Sequence, residues 1–258
     1  MKIGITGGSG VLGQLLISYL KNKYKVSEFR GDVRSKSQLR SWIKNSNFDY
    51  IFHLAAIVPV SKVIRDPLLA YSVNVLGTIN LLNELLKTKK KIWFFYASTS
   101  HVYKSKNSLI SEKDKVQPTT LYGYTKWMAE KICADVALKS NIDLCCGRIF
   151  SFYHYKQDES YLFSSARKKI RESKDGNIYV ENANNIRDFL KAEDVVKIIY
   201  KLFRKKYQGT INIASGKRIS IKNFIQKQTK KKINILTNKN YKKSILVANV
   251  NKLKKILN

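Results

Sequence analysis

Acidic residues are what this chain has least of: 18 Asp and Glu stand against 49 Lys and Arg in 258 residues, a formal net charge of +31. The deficit is uneven, because no acid follows Asp194 while basic runs such as "FRKKY" and "TKKK" do. A balance of this kind points toward anionic partners, nucleic acid among them. Yet lysine supplies 39 of the basic residues and comes with abundant Asn and Ile, a composition that AT-rich coding bias produces without any selected partner. The expectation is a mostly solvated C-terminal segment whose nucleic-acid binding is weak and falls steeply with salt.

Cysteine is also scarce. Cys133, Cys145 and Cys146 are odd in number and lack Cys-x-x-Cys spacing, which argues against a disulfide framework and against a zinc site, so no metal is expected. No apolar run approaches the roughly 20 residues of a membrane helix. The opening "MKIGITGGSG" has neither the charged nor the apolar region of a signal peptide, so a cytoplasmic location is expected. Low-complexity linkers and internal repeats are missing too.

What is present is alternation. Apolar runs at 3–6, 25–29, 50–54, 92–97 and 142–149 read as strands, and the segments 11–19, 37–44, 67–86 and 122–138 carry helical spacing. Strands alternating with helices predict a doubly wound parallel sheet of the Rossmann type, with ligands at the C-terminal strand ends. The pattern becomes irregular after about residue 150. The expected division is a dinucleotide-binding domain over 1–150 and a small substrate lobe over 151–258 that sends segments back to the sheet.

Two motifs carry chemistry. In "TGGSGVLG" the residues Gly7, Gly10 and Gly13 form Gly-x-x-Gly-x-x-Gly between the first strand and first helix, with Val11 and Leu12 inside it. Glycine permits the tight turn and a close backbone approach of a pyrophosphate at the helix N-terminus. An acid for the adenosine half is expected about 20 residues on, and Glu28 and Asp32 both qualify. Arg30 and Arg34 beside them suit a 2′-phosphate, so NAD and NADP both remain open. In "LYGYTKWMAE" Tyr122 and Lys126 are four apart and share a helix face, while Tyr124 points elsewhere. An ammonium beside a phenol favours the phenolate, which suits proton transfer.

With these motifs in this order the chain resembles the extended short-chain dehydrogenase/reductases, the NAD-dependent nucleotide-sugar epimerases, dehydratases and reductases. The likeness extends to "FHLAA", "NVLGTINLL", "STSHVY", "RIF", "RDFLKAEDVV" and "INIASGK", and so covers nearly the whole chain. The tail "ANVNKLKKILN" resembles the usual closing helix, so the chain is expected to be complete though small.

The resemblance implies that Tyr122 transfers the proton, that Lys126 assists it and binds the nicotinamide ribose, and that Thr99 hydrogen-bonds the reacting sugar oxygen. It places Asp32 and Val33 at adenine, Leu54, Ala55 and Ala56 along the dinucleotide, and Asn74 and Phe150 at cofactor contacts. Ser100, Ser151 and Arg187 fall at substrate positions, Arg187 at the diphosphate. The plainer readings are a helix-packing amide for Asn74 and an ion pair with Asp188 for Arg187.

His101 stands where related dehydratases carry a glutamate and GDP-fucose synthase a cysteine. That favours a reductase of a nucleotide-linked 4-keto sugar, with epimerisation if His101 moves a carbon-bound proton at its ordinary pKa near 6.5. A 4-epimerase with tightly held NAD is the alternative, and a non-catalytic RNA-binding member is a third. The long helix and the Tyr122 helix predict a homodimer.

Overall fold

The computed structural model describes residues 1–58, 60–239 and 241–258. In chain order the first part runs β1 (Lys2–Thr6), α1 (Val11–Leu20), β2 (Lys25–Phe29), α2 (Lys36–Ser46), β3 (Tyr50–His53), α3 (Val60–Arg65) and α4 (Pro67–Tyr71). A π-helical turn, Ser72–Leu76, joins α4 to α5 (Gly77–Leu86), followed by β4 (Ile92–Thr99), a 3₁₀ turn at Ser100–Val102, α6 (Leu121–Leu138) and β5 (Ile142–Ile149). The remainder is β6 (Ser151–Tyr153), α7 (Leu162–Glu172), β7 (Asn177–Tyr179), β8 (Ile186–Arg187), β9 (Phe189–Lys191), α8 (Ala192–Arg204), β10 (Gly209–Ile213), β11 (Ile219–Ser220), α9 (Ile221–Gln226), β12 (Asn234–Leu236), β13 (Ile245–Leu246) and α10 (Asn251–Leu257).

Six parallel strands in the order β10-β5-β4-β3-β1-β2 form the central sheet, the doubly wound arrangement that the alternation predicts. β4 lies in the middle and reads "IWFFYAST", almost without polar interruption, because a parallel strand is covered on both faces. On one face Phe52, Trp93 and Phe203 make edge-on aromatic contacts with centroids 5.5–5.8 Å apart. α8 supplies Phe203 because it is amphipathic: Val195, Val196, Ile199, Leu202 and Phe203 are buried while Lys201 and Arg204 face water. Each such apolar side chain contributes roughly 1.5–3 kcal/mol by leaving water.

The second lobe contains three small sheets, β11-β8-β13, β12-β7 and β6-β9. The chain leaves the central sheet after β5 and returns to it as β10, so both ends of this excursion are fixed by neighbouring strands. The helix read over 67–86 is present, but its middle widens into the π-helical turn rather than continuing as regular α-helix. α3 has no counterpart in the sequence reading. Among the described residues no helix is long and apolar enough to cross a membrane, and no group of His, Cys, Asp and Glu is placed to hold a metal ion.

Candidate active site

A cavity of about 1210 Å³ opens at the C-terminal ends of the sheet strands, where this topology puts ligands. At one end lies the turn between β1 and α1. Gly7 has φ +73°, and a Cβ built there would stand 2.5 Å from the Ala55 nitrogen, so no side chain fits. Gly13 packs α1 directly against the Gly7 carbonyl, which draws the helix N-terminus over the turn. Val11, Leu12, Leu54, Ala55 and Ala56 line the same end, as does Gly10.

Glu28, the last but one residue of β2, sits against Gly8 and receives the Arg30 guanidinium at 2.9 Å. Asp32 and Val33 also line the cavity, and Arg34 grips Asp32 through its Nε and Nη2 atoms at 2.6–3.0 Å. Those hydrogen bonds hold the Asp32 carboxyl below its usual range. Both acids therefore face the cavity, and each arginine already has an acid of its own.

Midway stand Thr99, Ser100 and His101 from the end of β4 and its 3₁₀ turn, and Tyr122 and Lys126 from α6. Thr120 caps α6 by accepting from the Gly123 nitrogen, and Gly123 lets the helix close onto the His101 carbonyl. Tyr122 is buried, whereas Tyr124 is turned out to solvent. The His101 and Tyr122 rings meet edge-on with centroids 5.6 Å apart.

The electrostatics differ from the sequence expectation. Burial pushes the Tyr122 phenol well above its ordinary value, with the Thr99 hydroxyl pulling it back. Lys126 is itself desolvated, which lowers its ammonium to about 8, and it rests 4.3 Å from the centroid of the Tyr96 ring. The two residues share a helix face, but the ammonium lies over Tyr96, so it does not bring the phenol down. His101 is also corrected: burial, and then the Arg187 charge, lower its imidazole to about 4 rather than leaving it near 6.5.

The far wall belongs to the second lobe. Phe150, Ser151 and Arg187 line it, together with Gln157, Tyr161 and Phe163, which sequence reasoning missed. No local periodicity marks that last group; the loop before α7 and the first turn of α7 bring it in. Arg187 donates to the Ile186 and Ser244 carbonyls at 2.8 and 3.0 Å and meets no carboxylate among the described residues. Burial lowers it to about 10. The ion pair with Asp188 does not form: neighbouring strand residues face opposite ways, and Asp188 is enclosed by the Ser215, Gly216 and Ala248 nitrogens and the Ser215 hydroxyl.

Asn74 does not line the cavity. From the π-helical turn its amide accepts from the Ile57 nitrogen at 2.7 Å and donates to Thr125 at 3.0 Å, fixing the loop after β3 against α6. This amide continues a buried chain of hydrogen bonds that also escaped the sequence reading. Thr78 donates its hydroxyl to the Asn74 carbonyl and therefore accepts from His53 Nε2, which leaves His53 Nδ1 to accept from Thr6. Burial, then the Lys126 charge, hold His53 neutral by lowering it to about 3. Behind Ser98, Glu130 receives both the serine hydroxyl and the Arg148 guanidinium, and Arg148 passes to Tyr103 and Asn212.

From residue 20 to residue 256 the chain matches the family model described as GDP-mannose 4,6 dehydratase. It is 26% identical to the UDP-glucose 4-epimerase of Mycoplasma genitalium over 98% of this chain and 89% of that protein. It is 29% identical to the GDP-6-deoxy-D-talose 4-dehydrogenase of Aggregatibacter actinomycetemcomitans over 88% and 78%. In fold it resembles RMD from Pseudomonas aeruginosa complexed with NADPH, with a TM-score of 0.88, 22% identity, and 99% of this chain and 92% of that one covered. A TM-score of 0.88 also relates it to the Thermus thermophilus UDP-glucose 4-epimerase in complex with NAD, at 18% identity and the same coverage. A match over nearly the full length, on a sheet and a cavity of this design, assigns the chain to the GDP-mannose 4,6 dehydratase family, among the extended short-chain dehydrogenase/reductases.

Proposed function

We propose that the protein is an NAD- or NADP-dependent enzyme acting on a nucleotide-linked sugar, and that it reduces a 4-keto sugar with accompanying epimerisation. The observation that carries this reading is one cavity running from the glycine turn past Thr99, Tyr122 and Lys126 to Arg187, a half-buried cation with no acidic partner among the described residues. The residues at the first end fit a dinucleotide, since Gly7 and Gly13 leave the backbone bare where a pyrophosphate must approach. Gly7, Gly10, Val11, Leu12 and Gly13 would hold it with Glu28, Asp32, Val33, Leu54, Ala55 and Ala56, and Phe150 closes the nicotinamide end. When bound, the nicotinamide supplies or takes up a hydride.

The chain's own part is proton transfer and orientation. Tyr122, held protonated by burial, donates its proton to the sugar oxygen, and Thr99 orients that oxygen by a hydrogen bond. Lys126 supplies positive charge at the ribose. Arg187 neutralises the diphosphate, with Ser100 and Ser151 along the sugar. Asn74 and His53 hold the frame and touch neither ligand.

The relatives named as UDP-glucose 4-epimerases favour a second reading, a 4-epimerase retaining NAD through the reaction cycle. Purified protein tested with a panel of nucleotide 4-keto sugars separates the two. Consumption of NADH or NADPH with a keto sugar is expected. Protein that carries NAD and interconverts hydroxy sugars without net oxidation of added cofactor would sink the reductase reading in favour of the epimerase. Copurified RNA and no turnover would sink both.

The active unit we propose is a homodimer. Leu121, Tyr124 and Met128 recur along one exposed stripe of α6, and Leu68 and Leu76 extend it on the neighbouring helical segment. Pairing of two such faces removes them from water. Light scattering is expected to give twice the chain mass, and a particle of 29.7 kDa at micromolar concentration would refute the pairing.

A further inference from the structure

The small sheet β11-β8-β13 has two faces with different surroundings. Arg187 reaches the active-site cavity from one of them, and Leu246, its register partner, is buried there. Ile186 lies opposite Ser220 and Ile245 in register, and these three face the other way. They form the floor of a separate groove of about 610 Å³, which Ile219, the register partner of Arg187, borders at its edge. Its rim carries Arg218, Lys227 and Lys243, with the amides of Asn223 and Gln226 between them.

No carboxylate lines this groove, and none of its three cations makes an ion pair among the described residues. Arg218 is nevertheless held in place, donating to the Asn107 carbonyl. The Asn223 carboxamide makes no hydrogen bond among the described residues. Three unneutralised cations around an apolar floor repel one another, and an anion with a flat or apolar portion relieves that repulsion while covering the isoleucines. The volume is that of a pocket for a small molecule, well within the range of about 300–1,000 Å³.

We propose that this groove is a second ligand site that takes a small phosphorylated molecule of nucleotide size. The phosphates lie on Arg218, Lys227 and Lys243, and the ring lies on Ile186 and Ile245. The site is distinct from the catalytic cavity because the sheet itself separates them. The assignment does not depend on which sugar the enzyme turns over.

The test is the stoichiometry of nucleotide binding. ADP and UDP are titrated calorimetrically into the wild-type chain, into Lys227→Glu/Lys243→Glu and into the control Lys230→Glu/Lys232→Glu, which changes net charge equally at exposed positions outside the groove lining. All four lysines are exposed, so neither double variant disturbs the core. Two sites per chain are expected in the wild type and the control. In the groove variant one of them weakens at least about tenfold, since two charge-assisted contacts are replaced by repulsion. The same number of sites at unchanged affinity in all three proteins would overturn the proposal. So would equal weakening in the control, which would show a diffuse field. Tighter binding of single-stranded RNA with increasing length, without saturable nucleotide binding in the groove, would replace it with a polyanion surface.

Discussion

Tyr122→Phe is expected to lower turnover by at least about a hundredfold, the usual scale of a lost acid–base group, while dinucleotide affinity changes less than about twofold, because the glycine turn carries that affinity. The reason is local. The phenol is buried and held protonated, and the neighbouring Thr99 hydroxyl is far too weak an acid to take over. Steady-state kinetics on the variant decide the matter, and wild-type turnover would rule out the assignment. The same mechanism fixes a pH dependence through Lys126, whose ammonium is lowered to about 8 by burial. Turnover should fall as pH rises past about 8, because the charge at the ribose is lost. Stability should move the opposite way. Between about 8 and the ordinary lysine value the unfolded chain binds more protons than the folded one, so stability attributable to Lys126 rises with pH across that window. Activity and melting temperature that fell together above pH 8 would contradict this role for the lysine.

His101→Ala is expected to abolish exchange of ring protons beside the keto group in deuterated water, while hydride transfer to a keto sugar that needs no epimerisation proceeds within about threefold of wild type. At neutral pH the imidazole is uncharged, hence available to accept a proton, although burial and the Arg187 charge make it a weak base in the empty site. A diphosphate on Arg187 would cancel the second of those effects and raise the proton affinity of His101 when substrate is present. Proton NMR of the recovered sugar reads the exchange directly. Exchange at the wild-type rate in the variant would leave His101 as a wall residue packed on Tyr122, and a plain reductase or epimerase built on Tyr122, Lys126 and Thr99.

The parts of this molecule written in local spacing were legible. Gly7, Gly10 and Gly13 announce a turn, since glycine alone fits at Gly7, where Ala55 crowds the backbone, and at Gly13, where the helix meets the Gly7 carbonyl; Tyr122 with Lys126 announces a helix face because four residues make about one turn. Strands β1 to β5 followed from apolar runs of the right length. What was not legible depends on distant partners. The position of Asn74 behind the cavity follows from a π-helical turn and from Ile57 and Thr125, none of which leaves a periodic mark. The isolation of Arg187 from Asp188 depends on Ser215 and Ala248, contributed by later segments. Proton affinities were misjudged at Tyr122 and His101 for one shared reason: sequence shows neighbours, whereas desolvation is set by everything that excludes water.

The return of the chain to the central sheet as β10 bears on how the protein is made. β10 pairs in parallel with β5, and the whole second lobe up to α8 is synthesised between them. Until β10 emerges, the nascent chain presents β5 as an unpaired parallel edge rich in apolar side chains, among them Cys145 and Ile149. Such an edge is a template for pairing with another chain. Interrupted translation or proteolysis ahead of Gly209 would therefore leave a fragment prone to aggregation rather than a smaller working domain.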